Sequence, residues 1–178
     1  MSETITSGLI SLDADLGADK ASVIRALAER VAAQGRASDA QALFADAWAR
    51  EELDETGLPG GIAIPHAKSP AVTEASLAFA RLRPGVEFGA DDGPADLVFL
   101  IAAPDTAAEA HLAVLSKLAR SLMQEDFNAS LRAATTADEV VSIVRIAIGE
   151  ADAPADPVVA PAAATVVAVA DTLQIDGR

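Results

Sequence analysis

Cysteine and tyrosine are absent from this chain of 178 residues, and histidine occurs only twice. The lack of cysteine excludes disulfides, thiolate metal sites and a cysteine nucleophile. Basic residues are also scarce, because 13 Lys and Arg stand against 27 Asp and Glu, which gives a formal net charge of -14. Such a charge argues against binding to nucleic acid or to anionic lipid, since both need a basic protein surface.

Several catalytic motifs and targeting segments are missing as well. The chain has no HExxH, GxxxxGK[ST] or GxSxG pattern, so a metalloprotease, a P-loop enzyme and a serine hydrolase all lack support. The start, MSETITSGLI, lacks the regions of a signal peptide, and the apolar runs LVFLIAA and TVVAVA are too short to span a bilayer. We therefore expect a soluble, cytoplasmic protein.

What the chain does contain suits a globular domain. Hydrophobic residues make up 51% of it and charged residues 22%, which is enough to build a core. Strand-like and helix-like patterns alternate, and this predicts an α/β or α+β sandwich with helices packed on a sheet, without fixing the strand order. The strand-like segments are 9–12, 62–64, 75–82 and 97–102, and the helix-like segments are 19–35, 38–52, 106–122, 127–131 and 136–148. Capping boxes are predicted to begin three of these helices, at Ser38 with Gln41, Thr106 with Glu109, and Thr136 with Glu139.

The composition changes after Gly149. The stretch ADAPADPVVAPAAA is rich in Ala and Pro, which favours a semi-extended linker over a helix or a central strand. We therefore expect one domain over residues 1–149 and a linker or disordered tail over residues 150–178.

His66 is the first residue with chemical potential, because of its place in GGIAIPHAKSP. Pro65 lacks a backbone N–H, so the sequence predicts that the preceding strand stops there and displays His66 at the rim of the sheet. Gly60 and Gly61 would allow an anion to approach the backbone closely. The alternative is an ordinary histidine in a surface turn.

His111 and Arg50 both allow a structural and a functional interpretation. His111 shares a helical stripe with Val114 and Leu118, which is typical of a core histidine. It would otherwise face a pocket near the helix N-terminus, where the helix dipole favours a bound anion. Arg50 lies at a helix C-terminal end, where a cation is expected for the dipole alone.

The acidic residues that follow Arg50 are interpreted as a solvated surface rather than as a metal site; they are Glu51, Glu52, Asp54 and Glu55. No carboxylate stands at a spacing that would complete a metal site with the two histidines. We therefore expect neither a metal nor another cofactor.

Two segments resemble one protein family. REELDETGLPGGIAIPHAKSPAV resembles the active-site segment of the fructose/mannitol-class enzyme IIA domains of the bacterial phosphoenolpyruvate-dependent sugar phosphotransferase system. PADLVFLIAAP with EAHLAVLSKLARSLMQEDF resembles the last core strand and the histidine-bearing helix of that family. The resemblance covers residues 5–148, and the residues that match the family's pattern around the first histidine are Arg50–Glu51, Thr56–Gly57, Gly61, Ile62, Ala63, Ile64, Pro65 and His66.

This resemblance implies a fold, a reaction and partners. The fold is a mixed sheet of about five strands with helices on both faces. His66 would accept a phosphoryl group from the phosphohistidine of an HPr-like carrier, as a tele-phosphohistidine, and pass it to a cysteine of enzyme IIB. His111 and Arg50 would surround and stabilise that phosphoryl group, and the membrane permease IIC would be an indirect partner.

The segments GIAIPHAKSPAV and GVEFGADDGPADL resemble fructose-type domains more than mannitol-type or nitrogen-regulatory ones, so fructose uptake is the expected role. The alternative is a nitrogen-type or regulator-associated IIA-like domain, which uses the same histidine as a phosphorylation-dependent switch for protein partners. No cysteine follows the TVVAVA segment, so IIB is expected on a separate protein or farther along a longer fusion.

Overall fold

The computed structural model describes residues 4–106 and 108–149. A 3₁₀ turn at Ser7–Leu9 leads into the first strand. The elements that follow are β1 (Ile10–Ala14), α1 (Lys20–Ala33), α2 (Ala40–Leu53), β2 (Gly57–Leu58), β3 (Ile62–Ala63), β4 (His66–Ser69), β5 (Ser76–Val86), β6 (Ala95–Pro104), α3 (Ala108–Leu122), α4 (Glu125–Ala133) and α5 (Ala137–Ala147). The predicted linker or tail, 150–178, lies outside the described residues, so the division at Gly149 stays a prediction.

The strands form one mixed sheet in the order β1-β5-β6-β3-β2, and β4 also pairs with β6. β1 runs parallel to β5, β5 antiparallel to β6, and both β3 and β4 parallel to β6. Ile62 in β3 lies opposite Leu97, and His66 in β4 lies opposite Ile101, which is the same offset along β6. β3 and β4 are therefore two halves of one interrupted strand. The sheet has six strands rather than about five because that strand counts twice.

Helices cover both faces of this sheet, which confirms the predicted class. The core under α1 and α2 includes Leu27 and Leu43, and the core under α3, α4 and α5 includes Leu118 and Val144. The central strand β6 serves both cores. Its side chains alternate between them, with Val98, Leu100 and Ala102 in the first core and Leu97, Phe99 and Ile101 in the second. A strand that is buried on both faces has a continuous run of apolar residues. The sequence predicted such a strand over residues 97–102, and the structure confirms it.

Of the three capping boxes that the sequence predicts, the one at Thr136 is present and the one at Ser38 is not. The box predicted at Thr106 and Glu109 falls where the described residues are interrupted, so it stays a prediction. Asp19 accepts a hydrogen bond from the Ser22 N–H at 2.9 Å and begins α1. The capping box of Thr136 and Glu139 begins α5 as predicted. The capping box predicted at Ser38 is wrong, because α2 begins one residue later with Asp39 as its N-cap. The Ser38 hydroxyl instead donates to the Ala71 carbonyl at 3.3 Å.

No helix within the described residues is long and apolar enough to cross a membrane.

Candidate functional site

His66 is the first residue of strand β4 and does not lie beyond the end of a strand, which corrects the sequence prediction. The Pro65 carbonyl accepts a hydrogen bond from the Ile101 N–H at 2.9 Å, and β4 resumes the pairing with β6 at His66. The N–H and the carbonyl of one strand residue point to the same side, so the missing N–H of Pro65 faces β6 and leaves a gap in the ladder between β3 and β4. Proline therefore interrupts this strand without ending it, whereas the prediction treated it as a stop.

The orientation of the His66 ring is fixed by one hydrogen bond. The ring is half-buried, and Nδ1 lies 2.9 Å from the carbonyl oxygen of Ile64. A carbonyl oxygen can only accept, so Nδ1 carries the ring proton in the neutral imidazole. Nε2 then keeps its lone pair, and it is the nitrogen available as a nucleophile or as a ligand.

Arg50 borders the same cavity as His66. Both residues line a cavity of about 380 Å³ at the edge of the sheet, together with Asp46, Ala49, Leu53, Ala67 and Lys68. Arg50 is in the last turn of α2, and its guanidinium donates to the Asp54 carbonyl at 3.2 Å, across the end of the helix. The structure thus brings together two of the three residues that the sequence singled out.

Two further residues of this cavity were not singled out from the sequence. Lys68 stands two positions after His66 on the same strand, and Leu53 stands three positions after Arg50 on the same helix. Both spacings place side chains on a common face, so each was available as a signal. Leu53 is 82% exposed, which is unusual for a leucine of this domain and leaves an apolar surface beside His66.

The third residue, His111, is placed by its helix. In-register neighbours on paired strands share a face, so His66 points to the same side as Ile101, the side covered by α3, α4 and α5. β6 ends at Pro104, opposite Ser69 of β4, and α3 begins at Ala108. His111 therefore belongs to the first turns of a helix on the His66 side, and its side chain lies outside the described part of the chain.

The acidic segment after Arg50 is only partly a solvated surface. Glu51 is 1% exposed, and its carboxylate accepts hydrogen bonds from the Thr56 hydroxyl at 2.7 Å and from the Thr56 N–H at 3.1 Å. Lys20 of α1 lies 3.3 Å from Glu51 and 2.9 Å from Glu55. Burial alone would lower the pKa of Lys20, but its hydrogen bonds and charge attraction with Glu55 and Glu51 outweigh that effect and raise the pKa.

The double glycine serves the hairpin between β2 and β3. Gly60 and Gly61 have φ values of +96° and +79°. A Cβ atom on Gly61 would lie 2.8 Å from the guanidinium of Arg132 and 2.8 Å from the carboxylate of Asp96, which are themselves paired at 2.7 Å. Gly61 therefore makes room for this ion pair, and the Gly60 N–H donates to the Asp92 carboxylate at 2.8 Å. No group of three or more metal-ligating side chains occurs within residues 4–106 and 108–149.

Comparisons with known proteins agree on one family. The model of the family described as phosphoenolpyruvate-dependent sugar phosphotransferase system, EIIA 2, matches residues 3–146. The fructose-specific EIIA component of Haloferax volcanii is 40% identical over 137 residues, which cover 76% of this chain and 88% of that protein. The fructose-specific EIIABC component of Bacillus subtilis is 36% identical over 145 residues, or 81% of this chain. The chain spans only 23% of that longer relative.

Solved structures give the same result. The nitrogen regulatory protein IIA-Ntr of Neisseria meningitidis superposes with a TM-score of 0.73 at 34% identity, covering 79% of this chain and 96% of that one. The complex of enzyme IIAMTL and phosphorylated enzyme IIBMTL of Escherichia coli gives a TM-score of 0.66 at 26% identity. That match covers 78% of this chain and 95% of the other.

Proposed function

Because this chain belongs to the EIIA 2 family of the phosphoenolpyruvate-dependent sugar phosphotransferase system, we propose that it carries a phosphoryl group on Nε2 of His66 between two protein partners. The observation that carries this proposal is the 2.9 Å hydrogen bond from His66 Nδ1 to the Ile64 carbonyl. It leaves Nε2 unprotonated in a half-buried imidazole that shares a cavity with Arg50. A neutral imidazole nitrogen that keeps its lone pair is a nucleophile suited to phosphoryl transfer.

The proposed reaction has two transfers. The lone pair on Nε2 of His66 attacks the phosphorus of a phosphohistidine on an HPr-like donor, and the donor's P–N bond breaks with its electron pair returning to the donor imidazole. A cysteine thiolate of enzyme IIB then attacks the same phosphorus, and the bond to Nε2 breaks. No metal enters either step. The E. coli complex of a IIA with a phosphorylated IIB supports the second partner.

The local charges suit a phosphoryl group. A phosphoryl group adds about -1.5 to -2 charges to a chain that already carries -14. Around the cavity, however, Arg50 and Lys68 outnumber the single acid, Asp46. A guanidinium about 4 Å from the phosphoryl group at an effective dielectric near 20 contributes on the order of 4 kcal/mol of attraction before desolvation.

His111 takes its proposed role from the family resemblance and from the position of its helix. It would donate a hydrogen bond to a phosphoryl oxygen, close to the positive end of the α3 dipole. With Arg50 it would steady the equatorial oxygens while the donor, the phosphorus and the acceptor stand in line. The transfers would take place in the cytoplasm.

Sugar uptake, with fructose as the sugar, is the role that we propose first. Relatives with fructose-specific names from Haloferax volcanii and Bacillus subtilis support it, and both cover more than three quarters of this chain. The permease IIC would then be an indirect partner. The second candidate is a regulatory domain that signals its phosphorylation state to protein partners, and the TM-score of 0.73 with IIA-Ntr favours it.

The test of the phosphoryl carrier is labelling from phosphoenolpyruvate in the presence of enzyme I and an HPr-like protein. The intact chain should take up label on His66, and His66→Ala should take up none while keeping its circular dichroism spectrum. The matched variant His111→Ala should still accept label, roughly 10²–10³-fold more slowly, as expected for loss of one positioned donor. Label that persists in His66→Ala, or that maps to His111, contradicts the proposal.

The two candidate roles separate in a second assay. The labelled chain is mixed with a fructose-type enzyme IIB, and the label is followed to the IIB cysteine. Rapid transfer supports sugar uptake. A phosphorylated chain that retains its label in the presence of this IIB favours the regulatory role.

A further inference from the structure

Glu51 is buried in a way that phosphoryl transfer alone does not explain. It follows Arg50 at the end of α2, and a carboxylate at that position could reach solvent. Instead it is 1% exposed and accepts hydrogen bonds from the hydroxyl and the N–H of Thr56 and from the Lys20 ammonium. Burying a carboxylate is unfavourable by several kcal/mol unless such bonds replace its water. The bonds therefore hold Thr56 firmly against the end of α2.

Thr56 in turn holds the peptide of Ile64. The hairpin of β2 and β3 pairs Gly57 with Ala63, and the next pair outward joins the Ile64 N–H to the Thr56 carbonyl at 3.2 Å. The position of Thr56 is thus transmitted to the residue that follows β3. Glu51 is thus connected through Thr56 to the backbone N–H of Ile64.

The Ile64 carbonyl is the group that orients His66. β3 ends at Ala63 and β4 begins at His66, so Ile64 falls in the interruption between the two halves of the strand. Its carbonyl oxygen accepts the hydrogen bond from His66 Nδ1 at 2.9 Å. Three successive links therefore connect Glu51 to the imidazole: Glu51 to Thr56, Thr56 to Ile64, and Ile64 to His66.

We propose that Glu51 and Thr56 are positioning residues for His66, which hold the Ile64 carbonyl where it selects the Nδ1–H tautomer and so leaves the lone pair on Nε2. Neither residue touches the transferred group. This inference rests on the proposed function for its consequence, because a ring that releases Nδ1 and protonates Nε2 loses its nucleophile. The same anchor holds the end of α2, so it also fixes the backbone that carries Arg50.

The test measures the tautomer of His66 directly. Nitrogen-15 NMR of the two ring nitrogens, at a pH where the imidazole is neutral, should show Nδ1 protonated in the intact chain. Thr56→Val removes the hydroxyl that donates to Glu51 and should shift the population toward the Nε2–H form. The rate constant for accepting the phosphoryl group should fall about tenfold, the effect expected for the net contribution of one hydrogen bond, while the KM for the phospho-donor stays unchanged.

Two variants make the result specific. Thr56→Ser keeps the hydroxyl and should restore the wild-type tautomer and rate. Thr135→Val makes the same substitution at a threonine that also donates to a glutamate, Glu139, at 2.8 Å, but that lies outside the three links, and it should leave the ring spectrum of His66 unchanged.

Glu51→Gln covers the case in which Thr56→Val does not fold. The glutamine keeps one oxygen that can accept from Thr56, but its NH₂ group cannot accept from the second donor that the carboxylate bound. The tautomer population of His66 should therefore shift toward the Nε2–H form, as in Thr56→Val. A wild-type tautomer in a folded Glu51→Gln or Thr56→Val protein overturns the inference. The NMR measurement needs no phosphoryl donor, so a shifted tautomer supports the positioning role even if labelling shows that His66 is not the carrier.

Discussion

Glu51 and Glu139 make nearly the same hydrogen bonds in two different surroundings. Glu51 accepts from the Thr56 hydroxyl and N–H at 2.7 and 3.1 Å. Glu139 accepts from the Thr135 hydroxyl and N–H at 2.8 and 2.7 Å. Glu51 is buried at the end of α2, whereas Glu139 is exposed at the start of α5. The geometry of a hydrogen bond therefore does not reveal its role, because water can replace the bonds of Glu139 and cannot reach those of Glu51.

Thr56→Val should produce the largest effect on stability. The Glu51 carboxylate would lose a bond from a neutral hydroxyl to a charged group, in a place that water does not reach. We expect the free energy of unfolding to fall by about 2 kcal/mol, measured by urea denaturation. Thr56→Ser should recover most of this loss, and a change in Thr56→Val no larger than that of an ordinary surface substitution would contradict the comparison.

Thr135→Val is the matched substitution at the exposed glutamate and should have a smaller effect. Solvent can satisfy the Glu139 oxygen that loses the hydroxyl, and the backbone N–H groups of Thr135 and Thr136 still donate to it. We expect the free energy of unfolding to change by no more than about 0.5 kcal/mol in the same urea experiment. A loss equal to that of Thr56→Val would show that burial does not separate the two sites.

The smallest effect is expected in how the thermal midpoint depends on pH. Hydrogen bonds from the Thr135 N–H and hydroxyl, and from Thr136, hold the pKa of Glu139 below its ordinary value of 4.5. A lowered pKa means that the carboxylate contributes stability above pH 4.5 and that this contribution disappears as the pH falls through the lowered value. The thermal midpoint of Glu139→Gln should therefore lie below that of the intact chain at neutral pH, and the two should converge in acid.

Ser142→Ala, an exposed position on the same helix, is the control for this measurement. Its difference from the intact chain should not change with pH, because it removes no titratable group. A Glu139→Gln difference that persists unchanged into strong acid would be inconsistent with the lowered pKa.

The parts of the fold that were predictable from the sequence depend on local patterns. The apolar run of β6 and the capping pair Thr136 and Glu139 are complete within a few neighbouring residues. The start of α2 was misplaced by one residue, because Ser38 and Asp39 are both good N-caps and the contact that occupies Ser38 comes from Ala71. That competition involves a residue far along the chain, which spacing does not reveal.

In the candidate site, too, residues indicated by their sequence neighbours were predicted, and residues with distant partners were not. His66 and Arg50 were found through residues adjacent to them in sequence, and the structure places both at one cavity. The burial of Glu51 was not predicted, because its place in EELDE is typical of a solvated surface. One of its partners, Lys20, lies on another helix and is 31 residues away in sequence, and a distant partner of this kind leaves no local pattern.

The interrupted strand has a consequence for how sequence change affects the site. β3 and β4 keep one offset against β6 across the Ile64–Pro65 break, so the break conserves the phase of the side-chain alternation. Deleting or inserting one residue there would put β4 out of phase and turn position 66 toward α1 and α2, on the opposite face from α3. The two-residue length of this gap therefore determines which face of the sheet the histidine occupies, whichever side chains fill the gap.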